Sequence, residues 1–235
     1  MLSVKEQCYN IYMAAFNDDE AFTRLLFDNS FEDSCYYYFH EDNVVSMLFA
    51  FDVWLNGEKG KYVYGVATDE AFRGKGYMRK LFSLLEEKLE NDYKFLCLRP
   101  MSEDLFDFYA RLNFEKKFFK SKTVMSTEKF ECEYKKIETV KQFITVRKML
   151  QRRNFVEYGP KFIELLMSYC EILTDSFENP CIFIVMEKES GKIKEVLGNK
   201  THEKIYTSGN DFCYAVYKSI GYDFDGIGYL GLAMD

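Results

Sequence analysis

The chain has 235 residues, of which 48% are hydrophobic and 18% aromatic, and this composition predicts a packed core and excludes a disordered chain. Its formal net charge of −7 disfavours general binding to nucleic acid or to an anionic membrane. A cationic or amine-bearing partner suits that charge, although an acidic balance is also ordinary for soluble proteins.

The cysteine content argues against a metal site and against disulfides. The chain has seven cysteines, none in C-x-x-C spacing, and two histidines. This pattern predicts no zinc site and reduced cysteines in the core. The sequence has no apolar run of about 18 residues that would span a membrane, and its first residues lack the apolar core of a signal peptide. We therefore expect a cytoplasmic protein.

The first part of the chain predicts two helices and an antiparallel meander. Apolar residues at helical spacing predict a helix over 4–16, and Asp18 or Asp19 is suited to cap a second helix through Leu26. Strands are predicted at 35–40, Val44–Leu55 and Tyr62–Thr68, with turns between them.

The segment after Thr68 predicts a strand–helix–strand–helix–strand order. A basic Gly-rich turn leads into an amphipathic helix that continues to Leu89. A strand at Phe95–Arg99, a helix from Ser102 and a strand at Phe114–Met125 follow. This order predicts an α/β or α+β domain of about 125 residues, whose central helix crosses over between neighbouring strands.

The remainder of the chain predicts a second, smaller α+β half-domain. The predicted elements are a helix over 137–154, a helix from Pro160, a hairpin of Cys181–Glu187 with Ile193–Leu197, and a hairpin of Phe212–Ile220 with Gly228–Met234. No Pro/Gly/Ser-rich linker separates the two parts. We place the predicted boundary in the charged stretch near residue 129, which gives domains 1–128 and 129–235.

The turn RGKG, residues 73–76, is the first candidate for a ligand site. It lies between a strand and a helix start, where backbone N–H groups can hold phosphate. Asp69 and Gly76 stand where a P-loop needs Gly and Ser or Thr, and Arg79 stands where a dinucleotide fingerprint needs Gly. ATP, GTP and NAD are therefore disfavoured. For RGKG alone, a plain strand–helix turn with solvated basic side chains is the simpler interpretation.

The wider context of this turn favours a functional interpretation. YVYGVATDEAFRGKGYMRKLFSLL, followed by FYARLNF, resembles the GNAT acetyltransferase superfamily, whose pattern is Arg/Gln-x-x-Gly-x-Gly/Ala. Arg73 and Gly76 match its first two fixed positions, and Met78 departs from the third. The resemblance covers roughly residues 1–125 and is closest to the bacterial, two-domain enhanced-intracellular-survival group. It implies a GNAT-like mixed, mostly antiparallel sheet with helices on both faces.

The resemblance also implies an activity and a set of binding residues. The activity is N-acetyl transfer from acetyl-CoA to a primary amine of a small molecule or peptide by direct attack. Backbone groups of Val66, Ala67 and Thr68 would pair with the pantetheine arm. Amides of the turn would hold the pyrophosphate, from Arg73, Gly74, Lys75, Gly76, Tyr77 and Met78.

Tyr109 and Asp235 are the candidate catalytic residues. The family places a Tyr in this short helix, and a phenol with a pKa near 10 is suited to protonate a departing thiolate. Packing with Phe106 and Phe108 is the alternative role for Tyr109. In the enhanced-intracellular-survival group the C-terminal carboxylate acts as the base, which implies Asp235, and a final strand completing a sheet is the alternative there.

The general base and the acceptor stay open at this point. Six acidic residues are each compatible with a cleft or with a solvated turn: Glu32, Asp33, Glu41, Asp42, Asp69 and Glu70. A non-catalytic acyl-CoA-binding module and a pure interaction scaffold are the competing function classes. The sequence identifies neither the acceptor amine nor the oligomeric state.

Overall fold

The computed structural model of the chain describes residues 2–120, 123–125, 133–151, 154–198, 205–207 and 212–231. The helices are α1 Val4–Phe16, α2 Glu20–Ser34, α3 Tyr77–Leu89, α4 Asp104–Ala110, α5 Val140–Met149 and α6 Pro160–Tyr169. The strands are β1 Cys35–His40, β2 Asn43–Leu55, β3 Glu58–Thr68, β4 Phe95–Leu98, β5 Glu115–Lys120, β6 Thr123–Met125, β7 Lys135–Lys136, β8 Val156–Tyr158, β9 Cys170–Thr174, β10 Ile182–Glu187, β11 Ile193–Gly198, β12 Ile205–Thr207 and β13 Phe212–Ser219.

The larger sheet has seven strands. Its order is β1-β2-β3-β4-β13-β5, and β8 pairs with the end of β2. The first three strands form the predicted antiparallel meander. β3 and β4 are parallel and are joined through α3, which is the predicted crossover helix. This mixed, mostly antiparallel sheet confirms the predicted fold class.

Helices cover both faces of the larger sheet because β2 is apolar on both sides. Phe49 and Phe51 belong to a first core cluster that includes residues of α1 and α2. Leu48 and Ala50, which alternate with them, belong to a second cluster with α3. Alternate side chains of a strand point to opposite faces, so a strand buried on both faces reads as one long apolar run.

The C-terminal part of the chain adds a second sheet of four strands in the order β11-β10-β9-β7. Its hairpin of β10 and β11 confirms the predicted one. Phe162 of α6 packs against Phe51 and Tyr62 of the larger sheet, with ring centroids 5.5 Å apart in both contacts. The first core cluster therefore continues from the larger sheet into this part of the chain.

The predicted hairpin of Phe212–Ile220 with Gly228–Met234 is wrong. β13 lies between β4 and β5 and is antiparallel to both, so its backbone groups are paired on both edges. Gly228 forms its bridge with Phe118 of β5 instead. The predicted boundary between residues 128 and 129 lies outside the described residues, and the two-domain division stays a prediction. Any such division has to assign β13 to the N-terminal sheet.

Two predicted helix boundaries also differ from the structure. α2 continues beyond Leu26 to Ser34, because the polar residues Asp28 and Asn29 lie on its exposed face. α5 begins later than predicted, because Thr139 caps its start and Ile137 still pairs with β9, its amide donating to the Ile172 carbonyl at 2.8 Å. It ends at Met149, earlier than predicted. No helix among the described residues has the length and apolar character needed to cross a membrane.

Candidate functional site

The larger sheet opens between β3 and β4. The two strands are paired over three residues each, and the last pair is Tyr62 with Cys97. β4 ends at Leu98, before Pro100, whereas β3 continues to Thr68. Among the described strands, the end of β3 pairs with β2 alone. Its other edge therefore offers free backbone groups to an extended ligand, as a sheet edge does to an added strand.

A bulge interrupts β3 where it parts from β4. The register against β2 shifts by one residue between Tyr64 and Ala67. Gly65 lies in this bulge with a φ of 61°, and a Cβ there would lie 2.8 Å from the ring of Tyr12. Both the positive φ and the close approach of Tyr12 favour glycine here. A bulge re-aims the residues that follow it, and those are the three predicted to hold the pantetheine arm, Val66–Thr68.

The RGKG turn joins β3 to α3 through a short 3-10 turn. Asp69 caps that turn by accepting from the Ala71 amide at 2.9 Å. The Arg73 guanidinium donates to the Thr68 carbonyl at 3.1 Å. Gly74 and Gly76 have φ values of 73° and 80°, and a Cβ on either would meet nothing within 4 Å. Hydrogen bonds to residues before the turn therefore hold its backbone, and the space beside Gly74 and Gly76 is open.

The start of α3 has a run of unused backbone donors. Its N-cap, Gly76, provides no side-chain hydrogen bond, whereas α1, α2 and α5 are capped by side chains of Ser3, Asp19 and Thr139. The first bond of α3 is from the Lys80 amide to the Gly76 carbonyl at 3.1 Å. Within the described residues, the amides of residues 74–79 donate to no protein acceptor.

These free amides point to an anion. The N-terminus of a helix carries a partial positive charge, and unused amides there bind phosphate groups. Four cationic side chains of the turn and the first helical turn add to this field: Arg73, Lys75, Arg79 and Lys80. The pattern of amides and charge fits a diphosphate.

Met78 does not obstruct this arrangement. Its side chain is 8% exposed and lies in the second core cluster with Val66 and Tyr109. The Met78 side chain, which departs from the family pattern, therefore fills the core beneath the turn, and the Met78 amide stays available. Whether Met78 and the other predicted residues bind a cofactor stays a prediction.

Tyr109 lies in α4, in the same cluster. Its ring is surrounded by Phe82, Phe108 and Phe114 at centroid distances of 5.1 to 6.3 Å. Burial raises the pKa of Tyr109 well above its ordinary value. Among the described residues, its hydroxyl has no hydrogen-bond partner. That hydroxyl is not among the buried polar atoms of the described residues that lack a partner, so its oxygen keeps some access to solvent although the ring is buried. Both predicted roles, packing and proton donation, are compatible with this position.

The structure bears on three of the acidic candidates. Asp235 lies outside the described residues. Asp69 is engaged as a cap, and Asp33 forms an ion pair with Lys161 of α6. Neither is a free carboxylate facing the opening between β3 and β4.

Sequence reasoning missed a hydrogen-bonded group of three side chains beside the bulge. The Tyr12 hydroxyl donates to the Asp18 carboxylate at 2.6 Å, and the hydroxyls of Tyr12 and Tyr64 are 2.8 Å apart. Strand alternation could place Tyr62 and Tyr64 on one face of β3. It could not show that α1 brings Tyr12 to the same place.

A family model matches the N-terminal part of the chain. The model of the acetyltransferase (GNAT) family matches residues 5–114, which contain the meander, the RGKG turn and Tyr109. The chain contains a domain of the GNAT family. This finding confirms the predicted resemblance. No curated protein has a sequence that matches the chain significantly.

Solved structures confirm the GNAT fold. A proposed acetyltransferase from Pyrococcus horikoshii has a TM-score of 0.67 at 15% identity, covering 98% of this chain and 92% of that one. A GCN5-related N-acetyltransferase from Kribbella flavida has a TM-score of 0.60 at 12% identity, with coverages of 93% and 69%. Eis1 from Mycobacterium abscessus has a TM-score of 0.62 at 7% identity, with coverages of 94% and 73%. These matches extend the fold similarity beyond the GNAT domain to most of the chain.

Proposed function

We propose that the protein is an acetyl-CoA-dependent N-acetyltransferase that transfers an acetyl group to a primary amine of a small molecule or peptide by direct attack. The observation that carries the proposal is the run of free amides from Gly74 to Arg79, located beside the opening between β3 and β4. The GNAT domain supplies the reaction class.

The residues present fit acetyl-CoA both at the RGKG turn and along the edge of β3. The amides of residues 74–78 and the basic side chains around them would hold the pyrophosphate. The Arg73 amide, which was also predicted to do so, donates instead to the Glu70 carbonyl at 3.3 Å. The edge of Val66, Ala67 and Thr68 that β4 leaves unpaired would pair with the amide groups of the pantetheine arm. The Thr68 carbonyl would share this role with its bond from the Arg73 guanidinium. Acetyl-CoA would supply the acetyl group as an activated thioester.

Tyr109 is the proposed acid. A phenol with an ordinary pKa near 10 already keeps its proton at neutral pH, and burial raises the pKa of Tyr109 further. Its hydroxyl has no competing partner among the described residues. A proton held beside a departing thiolate would favour breakdown of the tetrahedral intermediate. We retain Asp235 as a proposed base on the family resemblance alone.

Thermal unfolding with and without acetyl-CoA tests the cofactor. Ligand at 100 times Kd should stabilise the folded state by about 2.7 kcal/mol. For a chain of this size that corresponds to a rise in Tm of roughly 5–11 °C. Desulfo-CoA should give a similar rise and ATP a smaller one. No shift at millimolar ligand would remove the enzyme proposal and favour an interaction scaffold.

Gly76→Glu tests the position of the site. A carboxylate in front of the free amides should abolish the shift by steric clash and charge repulsion. Gly57→Glu is the matched control, because Gly57 also has a positive φ, 89°, with open space where a Cβ would lie. The control should keep the full acetyl-CoA shift. Retained binding by Gly76→Glu would contradict the site assignment.

Tyr109→Phe tests the acid. Turnover should fall by about 100-fold or more, with acetyl-CoA affinity nearly unchanged, because the substitution removes one hydroxyl and keeps the ring contacts. Unchanged turnover would leave Tyr109 a packing residue. Firm acetyl-CoA binding by the wild type without transfer to any amine would favour the non-catalytic acyl-CoA-binding module.

A further inference from the structure

We propose that Tyr64, Tyr12 and Asp18 form a chain of hydrogen bonds that carries a proton from the acceptor amine to solvent. This inference rests on the proposed function and gives the amine proton a route through described residues, in place of the Asp235 base that the resemblance implies. In it Tyr64 is the catalytic residue that meets the amine, while Tyr12 and Asp18 act through Tyr64.

The hydrogen bonds of the group have a fixed direction. A carboxylate can only accept, so the single proton of the Tyr12 hydroxyl is donated to Asp18, over 2.6 Å. The contact of 2.8 Å between Tyr12 and Tyr64 is then a bond donated by Tyr64. With its own proton committed, the Tyr64 oxygen can only accept from a further partner. Within the described part of the chain it has no such partner, so it is oriented to receive a proton.

The location of the group matches the opening in the sheet. Tyr64 is the last residue before the bulge, and the Tyr12 ring packs against the backbone at Gly65, where a Cβ would lie 2.8 Å away. Tyr64 and Tyr12 pack with the first core cluster, whereas Val66 and Tyr109 pack with the second. The proposed proton acceptor and the proposed proton donor therefore lie on opposite faces of the sheet, on either side of the free edge of β3.

The far end of the group reaches solvent. Asp18 lies in the connection between α1 and α2 and is only partly buried, whereas Tyr12 is 0% exposed. Tyr12 thus links the interior of the site to an ionised group at the surface. Such an arrangement can transfer charge without opening the site to bulk water.

The proton balance of the step is complete. When the amine nitrogen attacks the thioester carbon, the N–H bond breaks and its proton goes to the Tyr64 oxygen. The Tyr64 proton passes to the Tyr12 oxygen, and the Tyr12 proton passes to Asp18, which becomes a neutral carboxylic acid. The carboxylic acid then releases its proton to water. Rotation of the two hydroxyls restores the starting direction.

Asp18→Asn separates transport of a proton from structural support. The asparagine oxygen can still accept the bond from Tyr12, so the fold and the position of Tyr12 are kept, but the amide does not take up a proton at neutral pH. Tyr64→Phe and Tyr12→Phe interrupt the chain at its other members. Tyr9→Phe is the matched control, because Tyr9 lies on the same helix and its buried hydroxyl has no hydrogen-bond partner in the described structure.

The assay measures release of free CoA thiol from acetyl-CoA with ethylamine, benzylamine and spermidine as probes, together with the acetyl-CoA shift in Tm. Asp18→Asn, Tyr64→Phe and Tyr12→Phe should each lose about 100-fold or more in kcat and keep the acetyl-CoA shift in Tm. The control Tyr9→Phe should retain the wild-type rate. Trifluoroethylamine, a weaker base than ethylamine, should show a smaller defect, because its proton is lost more readily once attack begins.

The outcomes separate this inference from the proposed function. A wild-type rate in Asp18→Asn and Tyr64→Phe, with transfer by the wild type, overturns the proton chain and leaves the transferase standing. An equal defect for both ethylamines shows a structural role and also overturns it. If the wild type binds acetyl-CoA but acetylates none of the probes, the transferase activity and the proton chain are both contradicted. The assignment of the acetyl-CoA-binding site then still stands.

Discussion

The buried ion pair between Arg147 of α5 and Glu195 of β11 gives a sharp test of how the C-terminal part is held together. Only 4% and 0% of the two side chains are exposed. Arg147 donates to both carboxylate oxygens at 3.0 Å and to the Val156 carbonyl at 2.8 Å. The pair therefore links α5, β8 and β11. We expect Glu195→Gln to destabilise the protein strongly.

The expected size follows from burial. Removing one partner of a buried pair leaves an uncompensated charge and costs about 3–5 kcal/mol. In a chain of this size each kcal/mol lowers Tm by about 2–4 °C, so the expected fall is roughly 6–20 °C. Urea unfolding followed by circular dichroism measures the free energy, and differential scanning calorimetry measures the Tm.

A surface pair provides the control. Lys148 and Glu157 lie 3.6 Å apart, with 64% and 31% of their side chains exposed. Glu157→Gln should change the free energy of unfolding by less than about 1 kcal/mol. The double variant Arg147→Met, Glu195→Leu should recover much of the loss, because it leaves no buried charge. A loss under about 1 kcal/mol in Glu195→Gln would refute the reasoning.

Three further predictions concern the larger sheet. Gly65→Ala should cost about 1–3 kcal/mol, because it forces a positive φ and a clash with Tyr12; urea unfolding at wild-type stability would contradict the proposed role of the bulge. Partial burial alone would raise the pKa of Asp52, but hydrogen bonding and charge from Lys61 lower it overall. The stability that Asp52 contributes is therefore present above its unfolded pKa, and the deficit of Asp52→Asn should shrink as the pH falls below about 4; a constant deficit from pH 7 to pH 2 would count against it. A fragment of residues 1–128 should fail to fold cooperatively, since it lacks β13, and a sigmoidal melt of that fragment would be the contrary result.

Local pattern predicted the part of the fold that local interactions determine. The aromatic and apolar runs and the turn residues before Thr68 predicted the meander, and the apolar stripe through Leu81 and Leu85 predicted α3. The RGKG turn was found because its glycines, its charges and its helix start are adjacent in sequence. Their free amides follow from the absence of a capping side chain before Tyr77, which is also readable in the sequence.

The elements that the sequence did not predict depend on distant contacts. β13 pairs with strands that precede it by about a hundred residues, and pairing of this kind has no local pattern. The nearby stretch Gly228–Met234 was a closer but incorrect partner. Tyr12 and Tyr64 are 52 positions apart, and nothing in either neighbourhood indicates a shared hydrogen bond. The opening between β3 and β4 likewise depends on where β4 ends relative to β3.

The most direct test of the central claim is a titration with acetyl-CoA followed by the backbone amide resonances of the protein. Amides of residues 74–79 should show the largest chemical-shift changes, with smaller changes along Val66–Thr68. The same pattern with desulfo-CoA would show that the diphosphate and the arm, not the thioester, provide the contacts. Saturable binding that leaves residues 74–79 unchanged, or no binding at millimolar acetyl-CoA, would contradict the account.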